Sequence, residues 1–140
     1  MELHRNFKIS SRSHHGVVFI TELSRAEGDR PVSVRVIAQR MGLSEKYLEE
    51  LVRALRAAGL VSSMRGRTGG YRLSKAPNAM TMGEIVRALE GPVVLAHCQD
   101  AGADAACPQE GTCASKKFFQ RLKQTIDTEL DRMTLQDFSA

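Results

Sequence analysis

Residues 33–61, SVRVIAQRMGLSEKYLEELVRALRAAGLV, decide the fold class. Ser33 is placed to cap a helix whose inner stripe is Val34, Ile37, Ala38 and Met41, the spacing of a half-buried helix. Gly42 lets the chain turn, Leu43 plugs the junction, and Ser44 opens a second helix with Glu45 favourably placed in its first turn. Leu48, Leu51, Leu55 and Ala58 then form one apolar stripe that Gly59 stops. Two helices joined by a glycine turn predict a helix-turn-helix. Working outward, residues 60–73, LVSSMRGRTGGYRL, predict two short strands around an arginine-glycine tip. A purely structural hairpin would not need Arg65 and Arg67 at its turn, so the hairpin reads as a wing. From Arg53 to Lys75 there are six basic residues and no acidic one, which suits a polyanion better than a mixed solvated face would.

The flanks are helical. Ser10 or Ser11 can cap a helix over 10–26 that carries Phe19, Ile20, Leu23 and Ala26, with His14 and His15 in its first turn. Thr81 to Glu84 is a capping box, and Met82, Ile85, Val86 and Leu89 follow inside a helix that Gly91 and Pro92 end. A last helix is expected from about 115 to 132 with Phe119, Leu122, Ile126, Leu130 and Met133 on one side, then a short turn from Thr134 through Asp137. So long an amphipathic helix exceeds the need of a small core and predicts a dimer contact. The formal net charge is +4, and the longest apolar runs are only a few residues, too short to span a membrane. MELHRNFK lacks an apolar signal region, so a cytoplasmic location is expected.

Between the last two long helices lie all three cysteines, Cys98, Cys107 and Cys113, spaced C-x8-C-x5-C. An odd count in a reducing compartment does not suit a disulfide framework. Soft thiolates select zinc, copper(I) or iron–sulfur clusters. Intervals this wide are poor for the tight knuckles of structural zinc and suit a loop draped around a cluster, either [4Fe-4S] or [2Fe-2S]. Such a cluster needs a fourth donor, and His97, Asp100, His14, His15, Glu2 and His4 are the candidates. A zinc-stabilised winged-helix module for DNA or protein binding is the alternative. No C-x-x-C and no nucleotide-binding glycine signature is present, so an enzyme is not expected.

Taken together, KISSRSHHGVVFITELS, the stretch from VSVRVIAQRM to YRLSKAP, TMGEIVRALEGP, the three cysteines and the terminal TLQDF resemble the iron–sulfur winged helix-turn-helix regulators of the IscR, NsrR and RirA type. The resemblance covers roughly residues 8 to 138. It implies a mainly α fold with a small β-hairpin wing, a cysteine loop and a long C-terminal dimerisation helix. The organisation is then 1–92 for DNA binding, 93–114 for the cluster and 115–140 for dimerisation. It also implies a homodimeric transcription factor, expected to be a repressor, on a palindromic operator in double-stranded DNA. Its signal would be iron, oxidants or nitric oxide. Lys46, Glu49 and Glu50 match base-reading positions, Tyr47 lies near the backbone, Arg65 matches a minor-groove arginine, and Gly69 and Gly70 lie beside phosphate. Ser44, Arg53 and Arg67 complete the expected DNA-binding set. Carboxylates accept from cytosine N4, and arginine suits a narrow minor groove. Cys98, Cys107 and Cys113 match the cluster cysteines. The first interval is wider than in IscR, and the position of IscR's fourth ligand is Lys116, which cannot serve. In NsrR-like relatives an acidic residue of the partner's first helix ligates, and that position is His14 here, with His15 and His97 as alternatives.

Overall fold

A computed structural model describes residues 9–99, 107–109 and 111–139. Among these residues are five helices, α1 (Ser11–Ser24), α2 (Val34–Met41), α3 (Glu45–Ala57), α4 (Met82–Glu90) and α5 (Ala114–Arg132), and one small antiparallel sheet, β1 (Val61–Met64) and β2 (Gly70–Leu73). This is the mainly helical winged helix-turn-helix that the sequence predicts.

Local signals set the element starts. The Ser33 Oγ accepts from the Arg35 N–H at 3.2 Å, and the Ser44 Oγ accepts from the Tyr47 N–H at 3.2 Å, so α2 and α3 both begin on serine caps. At α4 the box closes reciprocally: the Glu84 N–H donates to Thr81 Oγ1 at 3.1 Å, and the Thr81 N–H donates to Glu84 Oε2 at 2.9 Å. The core is built where the stripes converge. Phe19 and Ile20 of α1, Ile37 of α2, Leu48, Leu51 and Leu55 of α3 and Ile85 of α4 are fully buried together. Each such side chain contributes roughly 1.5–3 kcal/mol by leaving water.

The hairpin pairs in the register Val61↔Leu73, Ser62↔Arg72, Ser63↔Tyr71 and Met64↔Gly70. It is braced to the start of α2, because Val32 and Tyr71 exchange two backbone hydrogen bonds of 2.8 Å. Gly70 permits that brace: a Cβ there would stand 2.4 Å from the Val32 carbonyl oxygen, and its φ of 155° disfavours other residues. On the opposite side α1 packs closely on α4 at Gly16, where a Cβ would lie 2.1 Å from Leu89 Cδ1.

Three expectations need correction. α1 stops two residues before Ala26, which is half-buried in the turn that follows. Ser10 stands at the N-cap of α1, but its hydroxyl does not cap; it donates to Glu90 Oε1, the same oxygen that buried Ser13 reaches at 2.8 Å. Ala58 is exposed at the C-cap of α3, and Val52, outside the expected stripe, is buried instead. The helix is thus wetted where it ends and buries a broader face than a single stripe.

The chain after α5 returns to the core. The Met82 N–H donates to the Met133 carbonyl at 2.8 Å, the Leu135 N–H donates to the Met80 carbonyl at 2.9 Å, and Leu135 is fully buried. The expected short turn is present as Leu135–Phe138, and Thr134 and Asp137 close a capping box around it. Arg87 of α4 clamps α5 through Asp131 at 2.7 Å and Asp127 at 3.0 Å.

Two carboxylates of α4 are held by hydrogen bonds that acid would weaken. Hydrogen bonds from Ser10 and then Ser13, against the cost of burial, hold Glu90 below the usual carboxylate range. The Lys75 ammonium and the Thr81 N–H do the same for Glu84. A folded pKa below the unfolded one gives stability that is fully present above about pH 4.3 and lost as pH falls through the folded value. Glu90→Gln is therefore expected to lower the thermal midpoint at pH 7, by a difference that shrinks as pH falls below the ordinary carboxylate range, as a pH series of melts would record. A constant difference across the series would remove Glu90 from this role.

Candidate nucleic-acid interface and metal centre

Helix α3 has two unlike faces. Leu48, Leu51, Val52 and Leu55 point into the core, whereas Lys46, Glu49, Glu50 and Arg53, spaced by three and four, form a polar face in solvent. None of these four charged groups is in an ion pair among the described residues, so their donors and acceptors stay open to a ligand. Ser44 and Lys46 are exposed at the start of this face, and Tyr47 is half-buried beside it. The helix is held rigidly from behind and offers nothing apolar in front, which is the requirement for a helix that enters a groove.

The wing supplies a second charged element. Arg65, Gly66, Arg67 and Thr68 are exposed at the tip, and Gly69 and Gly70 are half-buried where the turn rejoins β2. The Gly69 N–H donates to the Gly66 carbonyl at 3.0 Å, so the turn itself engages that donor. A Cβ at Gly69 would stand 2.4 Å from the Met64 carbonyl oxygen, so the missing side chain makes room for the turn's own backbone. Between wing and helix-turn-helix lies a recess of about 470 Å³ lined by Arg30, Pro31, Ser33, Thr68 and Gly69. Sequence reading did not single out Arg30 and Ser33 as neighbours of the wing, since only the Val32–Tyr71 bridge brings them there.

The cysteines occupy the connection from α4 to α5. Cys98 lies in a single turn, His97–Gln99, and is exposed; Cys107 is exposed; Cys113 is half-buried at the N-cap of α5. All three are free thiols. Among the described residues no three His, Cys, Asp or Glu side chains converge on a common point. The donor set nonetheless fits a thiophilic group in chemistry, with three unpaired soft sulfurs on one loop. Asp100, Glu2, His4 and the His97 side chain lie outside the described residues.

The two α1 histidines are separated by environment. His14 is exposed, with no hydrogen bond to its ring among the described residues, and it lines an apolar groove of about 590 Å³ between α1, α4 and the end of α5. His15 is half-buried, and its Nδ1 lies 3.0 Å from the Tyr47 hydroxyl oxygen. His14 therefore keeps a free imidazole for a ligand, whereas His15 already has a partner. No periodicity in the sequence signals that partnership, because it joins residues 32 apart.

Helix α5 is amphipathic without a buried residue. Phe119, Leu122, Ile126, Leu130 and Met133 are only half-buried, and Phe118 is 61% exposed. Among the described residues no helix is long and apolar enough to cross a membrane.

Comparison with known proteins gives a consistent answer. Residues 9–140 match the family described as Rrf2, iron-dependent transcriptional regulator. The HTH-type transcriptional regulator CymR of Bacillus subtilis is 38% identical over 133 residues, 95% of this chain and 90% of that protein. The solved structure of CymR, described as the global cysteine regulator of B. subtilis, superposes with a TM-score of 0.76 at 39% identity, over 96% of this chain and 97% of the other. The structure of T. potens IscR gives 0.74 at 37% identity, covering 94% and 85%. That of Staphylococcus aureus CymR in an oxidized form gives 0.72 at 32%, covering 95% and 96%.

Proposed function

The chain belongs to the Rrf2 family of DNA-binding transcriptional regulators, and from that premise we propose a cytoplasmic, homodimeric repressor whose operator binding is set by an iron–sulfur cluster on the cysteine loop. Its relatives are regulators of transcription, not enzymes. The observation that carries the reading is that all three thiols are free and lie on the one connection between α4 and α5.

Cys98, Cys107 and Cys113 would hold the cluster, with His14 of a second copy as the fourth donor. When bound, the cluster supplies a cross-link between the cysteine loop of one subunit and α1 of the other. The chain's own residues account for the rest. The uncovered face of α5 and the apolar groove beside it give a second copy a seat, and His14 lines that same groove, where a partner would come within its reach. Lys46, Glu49, Glu50 and Arg53 face the major groove, with Ser44 and Tyr47 at the backbone. Arg65 and Arg67 reach from the wing, and Gly69 and Gly70 lie beside phosphate. Two reading helices must stand about 34 Å apart to enter successive major grooves of a palindrome. A dimer whose pose depends on a cross-link at α1 can thus gain or lose that spacing in response to iron, oxidants or nitric oxide.

Iron and acid-labile sulfide analysis of protein purified without oxygen tests the reading. Iron and sulfide in comparable amounts support it, and zinc alone would replace it with the zinc-stabilised module. His14→Ala is expected to leave the fold intact and to shorten the lifetime of the visible chromophore in air. An unchanged lifetime would assign the fourth position to another group.

A second reading is favoured by the exposure of Cys98 and Cys107, together with the oxidized form solved for S. aureus CymR. In it the thiols are themselves oxidised and no cluster is needed. Iron-free protein whose DNA binding follows peroxide treatment would select this one.

A further inference from the structure

His15 has no place in the metal site just described, yet its ring makes a specific contact. Its Nδ1 and the Tyr47 hydroxyl oxygen are 3.0 Å apart and share a hydrogen bond whose direction follows the imidazole tautomer. The two rings meet edge to face, with centroids 5.5 Å apart and planes at 88°. Both side chains are half-buried, so water competes weakly for the bond. Tyr47 sits in the first turn of α3, and its own N–H is held by the Ser44 hydroxyl. The residue is gripped twice, by the cap at its backbone and by α1 at its phenol.

That double grip has two consequences. A tyrosine at the edge of a reading helix would otherwise sample several rotamers and lose that freedom on binding DNA, and the His15 bond removes the cost in advance. The bond also connects α1 to α3 at the end of α1 that carries His14. Residues 14 and 15 are neighbours with ring centroids 5.3 Å apart, so a shift of this first turn moves the tyrosine too.

We propose that His15 is a positioning residue: it fixes the Tyr47 phenol for contact with the DNA backbone and carries the position of the first turn of α1 into the reading helix. This rests on the reading of α3 as the DNA-contacting helix. It makes the two histidines of one turn a pair with divided roles, His14 facing outward to a ligand and His15 facing inward to the reader.

The test is a double-mutant cycle on a duplex that the wild-type protein selects from a random library. His15→Ala and Tyr47→Phe are each expected to weaken binding about 3- to 10-fold, the worth of one hydrogen bond. The double variant should be no weaker than the worse single. His15→Asn, whose amide reaches the place of Nδ1, should recover most of the loss, and the ratio of affinities between iron-loaded and iron-free protein should shrink toward one in His15→Ala. Thermal melts and iron content are followed in parallel. Losses that multiply in the double variant, an asparagine as poor as alanine, or no loss in His15→Ala would overturn the proposal. Iron missing from His15→Ala would also overturn it, by making His15 a donor. If the wild type selects no duplex, it is the DNA-reading assignment that fails, a separate outcome.

Discussion

Cys107→Ser is expected to abolish the visible absorption of the anaerobically reconstituted protein and to leave it without bound iron, while its helical content and melting point stay those of the iron-free wild type. The side chain is exposed and makes no contact with the core, so exchanging sulfur for oxygen costs the fold nothing measurable. What changes is ligand softness: a neutral hydroxyl is a poor substitute for a thiolate on iron. The set is already one thiol short of the usual four, so removing another leaves two sulfurs, and the loss should be complete rather than graded. Retained iron and colour in Cys107→Ser would mean that Cys107 is not a ligand. An unfolded variant would be equally informative, because nothing in the described structure gives that thiol a packing role.

The second large effect is expected on DNA. Arg65→Ala should weaken operator binding by about 1–3 kcal/mol, roughly 5- to 150-fold, and should reduce the preference for the operator over random duplex. Arg65 is exposed at the tip of a wing that is itself rigid, held by the β1–β2 ladder and by the two hydrogen bonds between Val32 and Tyr71. A guanidinium carried on such a support loses little further freedom on entering a minor groove. Titrations at several salt concentrations separate groove reading from simple phosphate contact. The second would weaken all sequences alike and lower the salt slope by about one. An unchanged affinity would take the wing out of the account.

The helix-turn-helix was legible because its signals are local. Ser33, Ser44 and the Thr81–Glu84 box lie within three residues of the groups they satisfy, and the stripes on α2 and α3 repeat at the helical period. The wing was legible from its glycines, although only the structure shows why Gly70 must lack a side chain. What stayed hidden are contacts between residues far apart in the chain. Glu90 answers to Ser10 and Ser13, Leu135 returns to Met80, and His15 meets Tyr47, and no periodicity or spacing encodes such a pairing. Ser10 illustrates the point: a serine before a helix reads as a cap, yet here its hydroxyl is turned to donate to a carboxylate of another helix and accepts from no N–H of its own. The cysteine loop was legible as a donor set and not as a geometry. Its sulfurs are joined by Gly-, Asp- and Pro-containing chain with no cap or stripe to fix their mutual positions.

In the function proposed, cofactor occupancy at the cysteine loop controls how the reading helices meet DNA. Its most direct test is the affinity of one preparation for one selected duplex, measured without oxygen before and after the iron is removed by a chelator. A change of about 5- to 150-fold is expected, the usual size of coupling between two sites. Equal affinity in the two states would contradict it.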